Sequence, residues 1–174
     1  MSLNALQLCL GADFAHLLPV VQQAHLGPIE LRGHVSVTRG RGLGALLASV
    51  LNMPAANPQC FLIVSGDHLS DRMIWRRSFD GKKLESNFLL DGGHLIEMMG
   101  RLKLRLKPRV NAGRLHYELR SAYFGRIPLP RCLMPTLVAW EGEAEGFYEF
   151  EVEIRLPLIG RLVRYAGKLT LVSA

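Results

Sequence analysis

The chain has 174 residues, of which 49% are hydrophobic and 21% charged, the size and composition of one globular domain. These values exclude a wholly disordered chain, and no apolar run approaches the ~20 residues that a membrane-spanning helix needs. The net charge of +6 comes from the second part of the chain, because residues 1–100 carry eight basic and eight acidic side chains and residues 101–174 carry thirteen and seven.

A basic segment of this kind can bind nucleic acid, an anionic membrane or an acidic ligand. We favour a solvated outer face of arginine-rich strands and expect no nucleic-acid partner. Cys9, Cys60 and Cys132 are widely spaced and form no C-x-x-C pair, which favours a reducing compartment over a disulfide framework or a zinc ribbon. The residues before Cys9 contain no Lys or Arg, which a secretory signal has at its start, so we expect no such signal and a cytoplasmic protein.

The first third of the chain predicts helices around one strand. Residues 13–26 are expected to form one or two short helices, with Pro19 in the first turn of the second. Leu31 to Thr38 alternates apolar and polar side chains and predicts a half-buried strand. A glycine-rich turn then leads into a helix whose apolar stripe runs from Leu43 to Leu51 and stops before Pro54.

After Pro58 the apolar period changes to two and stays there to Val172. Turn signals such as Asp80-Gly81 and Asn111-Ala112-Gly113 separate the apolar runs at hairpin distances. Connections this short join antiparallel strands, and a long meander must curl or close to protect its edges.

We therefore predict one mainly β (α+β) domain over residues 1–174. It has a helical part at about 11–53 and an antiparallel meander at about 59–172. The meander is expected to close or curl into a barrel-like sheet, lipocalin-like in general shape. Short N-terminal helices and one helix after the first strand complete the fold.

Two predicted strands carry charges of opposite sign on their polar faces. Basic side chains occur at Arg101, Lys103, Arg105 and Lys107, and acidic ones at Glu149, Glu151 and Glu153. Cross-strand pairs between the two series would stabilise one sheet if the strands were neighbours.

The segment from Gly40 through Gly42 to Ala45, between a strand and a helix, matches the outline of a dinucleotide-binding fingerprint. The strand before it alternates, whereas a central parallel strand is apolar on both faces, and no further βα units follow. We favour a glycine turn set by strand-to-helix geometry and expect no cofactor. A weak anion site at Arg39 and Arg41, near the helix start, stays open.

No catalytic or metal-binding constellation stands out. The six histidines form no H-x-H or H-E-x-x-H pattern, so we predict no metal site and no catalytic residues. Glu141, Glu143 and Glu145 share one strand face, where like charges can raise a pKa for acid catalysis. An exposed edge is the commoner explanation, and we favour it. Whether the chain is an enzyme stays open, and we lean towards a protein that is not one.

Aromatic and arginine side chains on core-facing positions suggest a ligand site. The candidate ligand-binding residues are Met73, Trp75, Arg77, Phe79, Tyr117, Trp140 and Tyr148. An inward Arg77 is costly to bury without a partner, which the anionic head of an apolar ligand or a buried carboxylate would supply. The alternative is that Arg77 lies at the barrel mouth or at a bulge and the aromatic residues are plain core.

Three segments resemble one family. They are Val37 to Gly42 with the leucine-rich helix after it, Trp75 to Phe79, and the closing run Leu156 to Gly167. With them the chain, from about Leu10 to Val172, resembles an uncharacterised bacterial domain of unknown function. Members occur alone or C-terminal to saccharopine-dehydrogenase-like or epimerase-like Rossmann domains. The resemblance implies no activity or catalytic residues, but it implies that such a chain can work beside a nicotinamide-dependent enzyme.

The leading functional hypothesis is a non-enzymatic module that binds a lipid-like or other apolar small molecule, with or without an anionic group, in a barrel cavity. One alternative is an interaction or regulatory module of a Rossmann-type oxidoreductase, with the basic C-terminal half as its docking face. Another is peripheral binding to an anionic membrane or nucleic acid, which predicts strong salt dependence.

Overall fold

The computed structural model describes residues 3–172, so residues 1–2 and 173–174 of the predicted domain lie outside it. Three α-helices occur, α1 (Ala5–Leu10), α2 (Pro19–Ala24) and α3 (Leu43–Val50), with 3₁₀ turns at Gly11–His16 and Arg131–Leu133. The strands are β1 (Ile29–Arg39), β2 (Asn57–His68), β3 (Arg72–Phe79), β4 (Lys82–Asp91), β5 (His94–Met99), β6 (Leu102–Asn111), β7 (Arg114–Phe124), β8 (Ile127–Pro128), β9 (Thr136–Ala144), β10 (Phe147–Leu156) and β11 (Gly160–Val172).

The strands form one closed antiparallel barrel of ten strands. The sheet runs β6-β5-β4-β3-β2-β1-β11-β10-β9-β7, and pairing of β6 with β7 closes it. The two-residue β8 adds only to the edge of β7. The predicted meander is confirmed, and each connection between barrel strands joins neighbours in the sheet; the one from β7 to β9 passes through β8. The loosest junction is β7 with β9, which pairs only at Leu115–His116.

The N-terminal helices close one end of the barrel. Residues Ala5, Leu6, Val21 and Ala24 are fully buried there. The α1 helix, absent from the sequence-based prediction, begins with a capping box between Asn4 and Gln7. Because these helices present an apolar face to the barrel, they act as its plug.

Helix α3 covers the other end and packs very closely on β11. A Cβ atom at Gly40 would overlap the carbonyl oxygen of Arg161, and one at Gly44 would lie 2.7 Å from the same oxygen. Gly42, at the start of α3, has a φ of 54°, which favours glycine. The glycines of the fingerprint-like segment are therefore required by helix-to-strand contact and turn geometry.

The acidic and basic strand faces do not pair with one another, because β7 and β9 lie between β6 and β10. The glutamates of β10 pair instead with β11, where Arg161 Nε and Arg164 Nε each lie 2.7 Å from a glutamate oxygen, of Glu153 and Glu151 respectively. The outer charge is thus largely neutralised within the barrel wall.

Candidate functional site

An internal cavity of about 100 Å³ lies inside the barrel and extends to the loop after α3. Its walls are mainly aliphatic and aromatic, and Leu51, Met53 and Pro54 border it at the α3 end. The polar side chains that line it are Arg77, Glu97, Tyr117, Glu141, Tyr148 and Tyr165. Polar groups gathered in an otherwise apolar cavity make this the candidate site.

Strand alternation brings four of the predicted residues to one interior face. Met73, Trp75 and Phe79 on β3 are at most 5% exposed, and Arg77 lies on the same face between them. Tyr117 on β7 and Tyr148 on β10 also line the cavity. Five of the seven predicted ligand-binding residues thus line the cavity, namely Trp75, Arg77, Tyr117, Trp140 and Tyr148, whereas Met73 and Phe79 are buried on the same face of β3 without lining it.

Arg77 belongs to a group with Ser86 and Glu97 on the next two strands. Arg77 Nη1 donates a hydrogen bond to Ser86 Oγ at 2.9 Å, and its guanidinium carbon lies 5.9 Å from the Trp75 ring centroid. No carboxylate oxygen of the described residues lies within the 4.0 Å of an ion pair with Arg77. Burial raises the pKa of the Glu97 carboxyl, although the charge of Arg77 and a hydrogen bond from Ser86 oppose the rise.

A second polar group surrounds Glu141, nearer the plug. His25 Nε2 lies 2.6 Å from Glu141 Oε2, and the hydroxyl of Tyr117 donates to Glu141 Oε1 at 3.1 Å. Burial raises the pKa of the Glu141 carboxyl, but His25 and the hydroxyls of Tyr148 and Tyr117 outweigh it, so this pKa lies below its usual range. Glu141 is therefore a carboxylate held by donors, not the exposed edge residue that the sequence favoured.

The glutamates that share the face of Glu141 have different environments. Glu143 accepts a hydrogen bond from the backbone N–H of Val20 at 3.1 Å and so helps to hold α2. Glu145 lies in the following turn, where Lys168 Nζ is 2.7 Å away. The three carboxyls do not form one acidic cluster.

The tyrosine hydroxyls of the cavity remain protonated donors. Burial and the negative charge of Glu141 raise the pKa of Tyr117 and of Tyr148 well above the usual value. Burial also raises the pKa of Tyr165. The phenols of Tyr117 and Tyr148 donate to Glu141, and that of Tyr165 can donate a hydrogen bond to a carboxylate or a carbonyl oxygen in the cavity.

Trp140 is among the residues that border the cavity, although its indole points away from the interior, and the two anion-site arginines lie outside the cavity. Trp140 alternates with Glu141 on β9 and faces the other side of the sheet, where the guanidinium carbon of Arg114 is 4.6 Å from its ring centroid. Arg39 donates to the carbonyl oxygens of Met53 and Pro54 at 2.6 Å and 2.8 Å, so it holds the loop after α3. Arg41 is exposed.

Sequence reasoning did not find His25, His68, Ser86 and Glu97. The signal for Glu97 was present, because it shares its strand face with Leu95 and Met99. His68 packs with His25 and Trp75, with ring centroids 5.2 Å and 5.5 Å away. Burial, with a smaller contribution from the charge of His25, lowers the pKa of His68 to about 3.

Within residues 3–172, no group of three or more His, Cys, Asp or Glu side chains has an arrangement that would hold a metal ion. None of the helices there is both long and apolar enough to cross a membrane. The cavity residues themselves thus define the candidate site.

Comparison with known proteins gives one match. No match was found among curated proteins or among solved structures. The sequence model of the family described as domain of unknown function DUF4166 matches residues 17–169. This match confirms the expectation of a family without an assigned function, and the chain belongs to the DUF4166 family.

Proposed function

We propose that the barrel is a binding module for a compact, mostly apolar small molecule whose acidic group pairs with Arg77. The observation that carries the proposal is the Arg77 guanidinium, which lines an apolar cavity and makes one hydrogen bond to the described residues, to Ser86. The family match is compatible with this proposal and names no ligand.

The charge of Arg77 favours an anionic ligand. A guanidinium has five N–H donors in a planar fork, and a buried charge without a hydrogen-bonded partner is costly. A carboxylate is the complementary partner, since it accepts two parallel hydrogen bonds from such a fork. Tyr165, which lines the same cavity, supplies a further donor for its oxygens.

The remaining wall favours an apolar ligand body. Leu62, Phe88, Leu104 and Phe150 are at most 7% exposed and line the cavity. Apolar surface of a ligand that leaves water for such a wall gains about 25 cal/mol per Å². The wall thus supplies affinity, and the polar groups fix the orientation of the ligand.

The cavity volume favours a compact ligand over a long acyl chain. At about 100 Å³ the cavity is smaller than the roughly 300–1,000 Å³ of pockets for drug-sized ligands. A molecule of about ten non-hydrogen atoms is similar in size to this cavity. An aryl or alicyclic carboxylic acid meets the requirements of size, polarity and charge together.

The test is calorimetric titration with a panel of such acids, led by cinnamate, and with their neutral alcohols, led by cinnamyl alcohol. Loss of the charged hydrogen bonds in Arg77→Met is expected to weaken cinnamate binding by ~1.5–3 kcal/mol, a factor of about 10 to 150. Binding of cinnamyl alcohol is expected to change far less.

Arg76→Met is the matched control, because Arg76 is the next residue of the same strand but faces outward, where it pairs with Asp67 and Glu85. Cinnamate affinity is expected to be unchanged in this variant. The proposal fails if no acid of the panel binds the wild type, or if Arg77→Met and Arg76→Met bind cinnamate equally well.

A further inference from the structure

The apolar side chains that are most exposed gather at the α3 end of the barrel. This end is formed by residues 40–56, 80–81, 100–101, 125–135 and 157–159. The five large apolar side chains with the highest exposed fractions among the described residues are Leu158 (103%), Val50 (72%), Ile127 (69%), Leu43 (66%) and Leu46 (60%). All five belong to this end, although they come from three separate segments.

Basic side chains accompany them. The arginines of these segments are Arg41, Arg101, Arg126 and Arg131, all exposed. None of the four forms a salt bridge or a side-chain hydrogen bond with a described residue, unlike Arg161 and Arg164 in the barrel wall. The one acidic residue of the segments, Asp80, already accepts hydrogen bonds from Asn57 Nδ2 and the backbone N–H of Phe61.

The opposite end has the reverse charge. Among the described residues, the segments 3–28, 69–71, 92–93, 112–113 and 145–146 contain no Lys or Arg. They contain the acidic residues Asp13, Asp71 and Glu145. The two ends of the barrel therefore carry opposite charges. Near a negatively charged surface, the protein would be oriented with its α3 end towards that surface.

We propose that the α3 end docks on the surface of an anionic membrane. Exposed aliphatic side chains flanked by unpaired arginines are suited to the membrane–water interface. There, apolar side chains enter the boundary between headgroups and acyl chains, and guanidinium groups bind lipid phosphates. Two copies joined through this end would bring eight unpaired arginines together, which disfavours a dimer. The most exposed tips are aliphatic, whereas single-stranded nucleic-acid binding depends on bases that stack on aromatic side chains, which disfavours nucleic acid as the partner.

Docking would place the cavity next to the lipid. Leu46 and Val50 lie on the outer face of α3, while Leu51 and Met53, directly after it, border the cavity. The same segment therefore presents one side to the membrane and the other to the ligand site. This docking goes beyond the proposed ligand binding, because it places the ligand site at the membrane surface and not in solution.

The experiment is flotation of the full chain, without ligand, with vesicles of phosphatidylcholine alone or with about one third phosphatidylglycerol, the anionic lipid that supplies the surface potential. Binding is expected with the anionic vesicles only and is expected to fall steeply as salt rises from 0.1 M to about 1 M. Each arginine removed, as in Arg126→Gln or Arg131→Gln, is expected to lower the partition coefficient by about fivefold.

Leu46→Glu and Leu158→Glu are expected to lower the partition coefficient by about tenfold or more, since each removes apolar surface that the membrane interface buries. The matched controls are Leu26→Glu and Leu69→Glu, half-exposed leucines of the opposite end, with exposed fractions of 50% and 45%. These controls are expected to bind vesicles like the wild type.

Membrane docking would be overturned if the wild type did not bind anionic vesicles, or if the control variants lost as much vesicle binding as Leu46→Glu and Leu158→Glu. It would also be overturned if light scattering showed a dimer that Leu46→Glu dissociates without any change in vesicle binding. Cinnamate titration of Leu158→Glu in solution separates the two proposals. Unchanged cinnamate affinity together with lost flotation supports docking, and an absence of cinnamate binding leaves the flotation result standing.

Discussion

His25 Nε2 and Glu141 Oε2 are 2.6 Å apart, although the two residues are 116 positions apart in the chain. His25 ends α2 of the plug, and its carbonyl oxygen accepts a hydrogen bond from Asn4 Nδ2 at 2.6 Å. Because the ionised Glu141 carboxylate can only accept hydrogen bonds, His25 Nε2 must be the donor. This contact fastens the plug to the barrel interior and holds Glu141, which lines the cavity.

Removing His25 alone is expected to be strongly destabilising. In His25→Leu the buried Glu141 carboxylate loses its closest partner, and breaking a buried pair costs ~3–5 kcal/mol. The double variant His25→Leu/Glu141→Leu is expected to recover part of this loss. Urea unfolding measures both, and Lys168→Ala, which breaks an exposed pair with Glu145, is the control with an expected loss below ~1 kcal/mol. A loss in His25→Leu as small as in Lys168→Ala would contradict this role.

Acid is expected to destabilise the protein through His68. Its folded-state pKa is about 3 and its unfolded value about 6.5, so only the unfolded state takes up the proton as the pH falls from 6.5 towards 3. Stability is therefore present above pH 6.5 and is lost below it, by roughly 2 kcal/mol between pH 7 and pH 5 from this group. Urea unfolding of wild type and His68→Gln at both pH values is the measurement, and an identical pH dependence of the two proteins would refute the assignment.

Neutralising Glu97 is expected to strengthen binding of an acidic ligand. Glu97 lines the same cavity as Arg77, and its negative charge opposes a carboxylate there. Glu97→Gln is expected to raise cinnamate affinity by roughly tenfold, since a like charge nearby shifts such equilibria by about one pKa unit. Titration of Glu85→Gln, an outward-facing carboxyl on β4, provides the comparison. Weaker cinnamate binding in Glu97→Gln would instead make Glu97 a hydrogen-bond partner of the ligand.

Gly40 and Gly42 are expected to tolerate alanine differently. A methyl group at Gly40 has no room beside the Arg161 carbonyl oxygen, so Gly40→Ala is expected to cost ~3 kcal/mol or more. Gly42 has open space, but its φ of 54° and ψ of −125° are rarely adopted by other residues, so Gly42→Ala is expected to cost a smaller ~2 kcal/mol of backbone strain. Thermal unfolding of both variants checks this order, and equal losses would contradict the packing explanation for the glycine motif.

The barrel was predictable because its signals are local. Alternation within single strands placed Trp75, Arg77 and Phe79 on one interior face, and turn signals such as Asp80-Gly81 set the antiparallel order. Closure adds one long-range pairing, between the first strand β1 and the last strand β11. The same local reasoning correctly gave the helix between β1 and β2.

The polar interior was harder to predict because it inverts the rule that apolar residues face inward. On β9, Trp140 and Glu141 alternate, and the structure places the carboxylate inside and the indole on the other side of the sheet. The partners of Glu141 explain this choice, and the nearest of them, His25, comes from the plug. A contact between segments so far apart in the chain leaves no periodic signal in either one.

The account rests on an acidic ligand inside the barrel, and a crystal structure of the protein with bound cinnamate tests this most directly. We predict that the carboxylate oxygens lie about 3 Å from the guanidinium nitrogens of Arg77, with the ring against the apolar wall of the cavity. Cinnamate bound solely on the outer surface, with the cavity filled by water alone, would contradict the account.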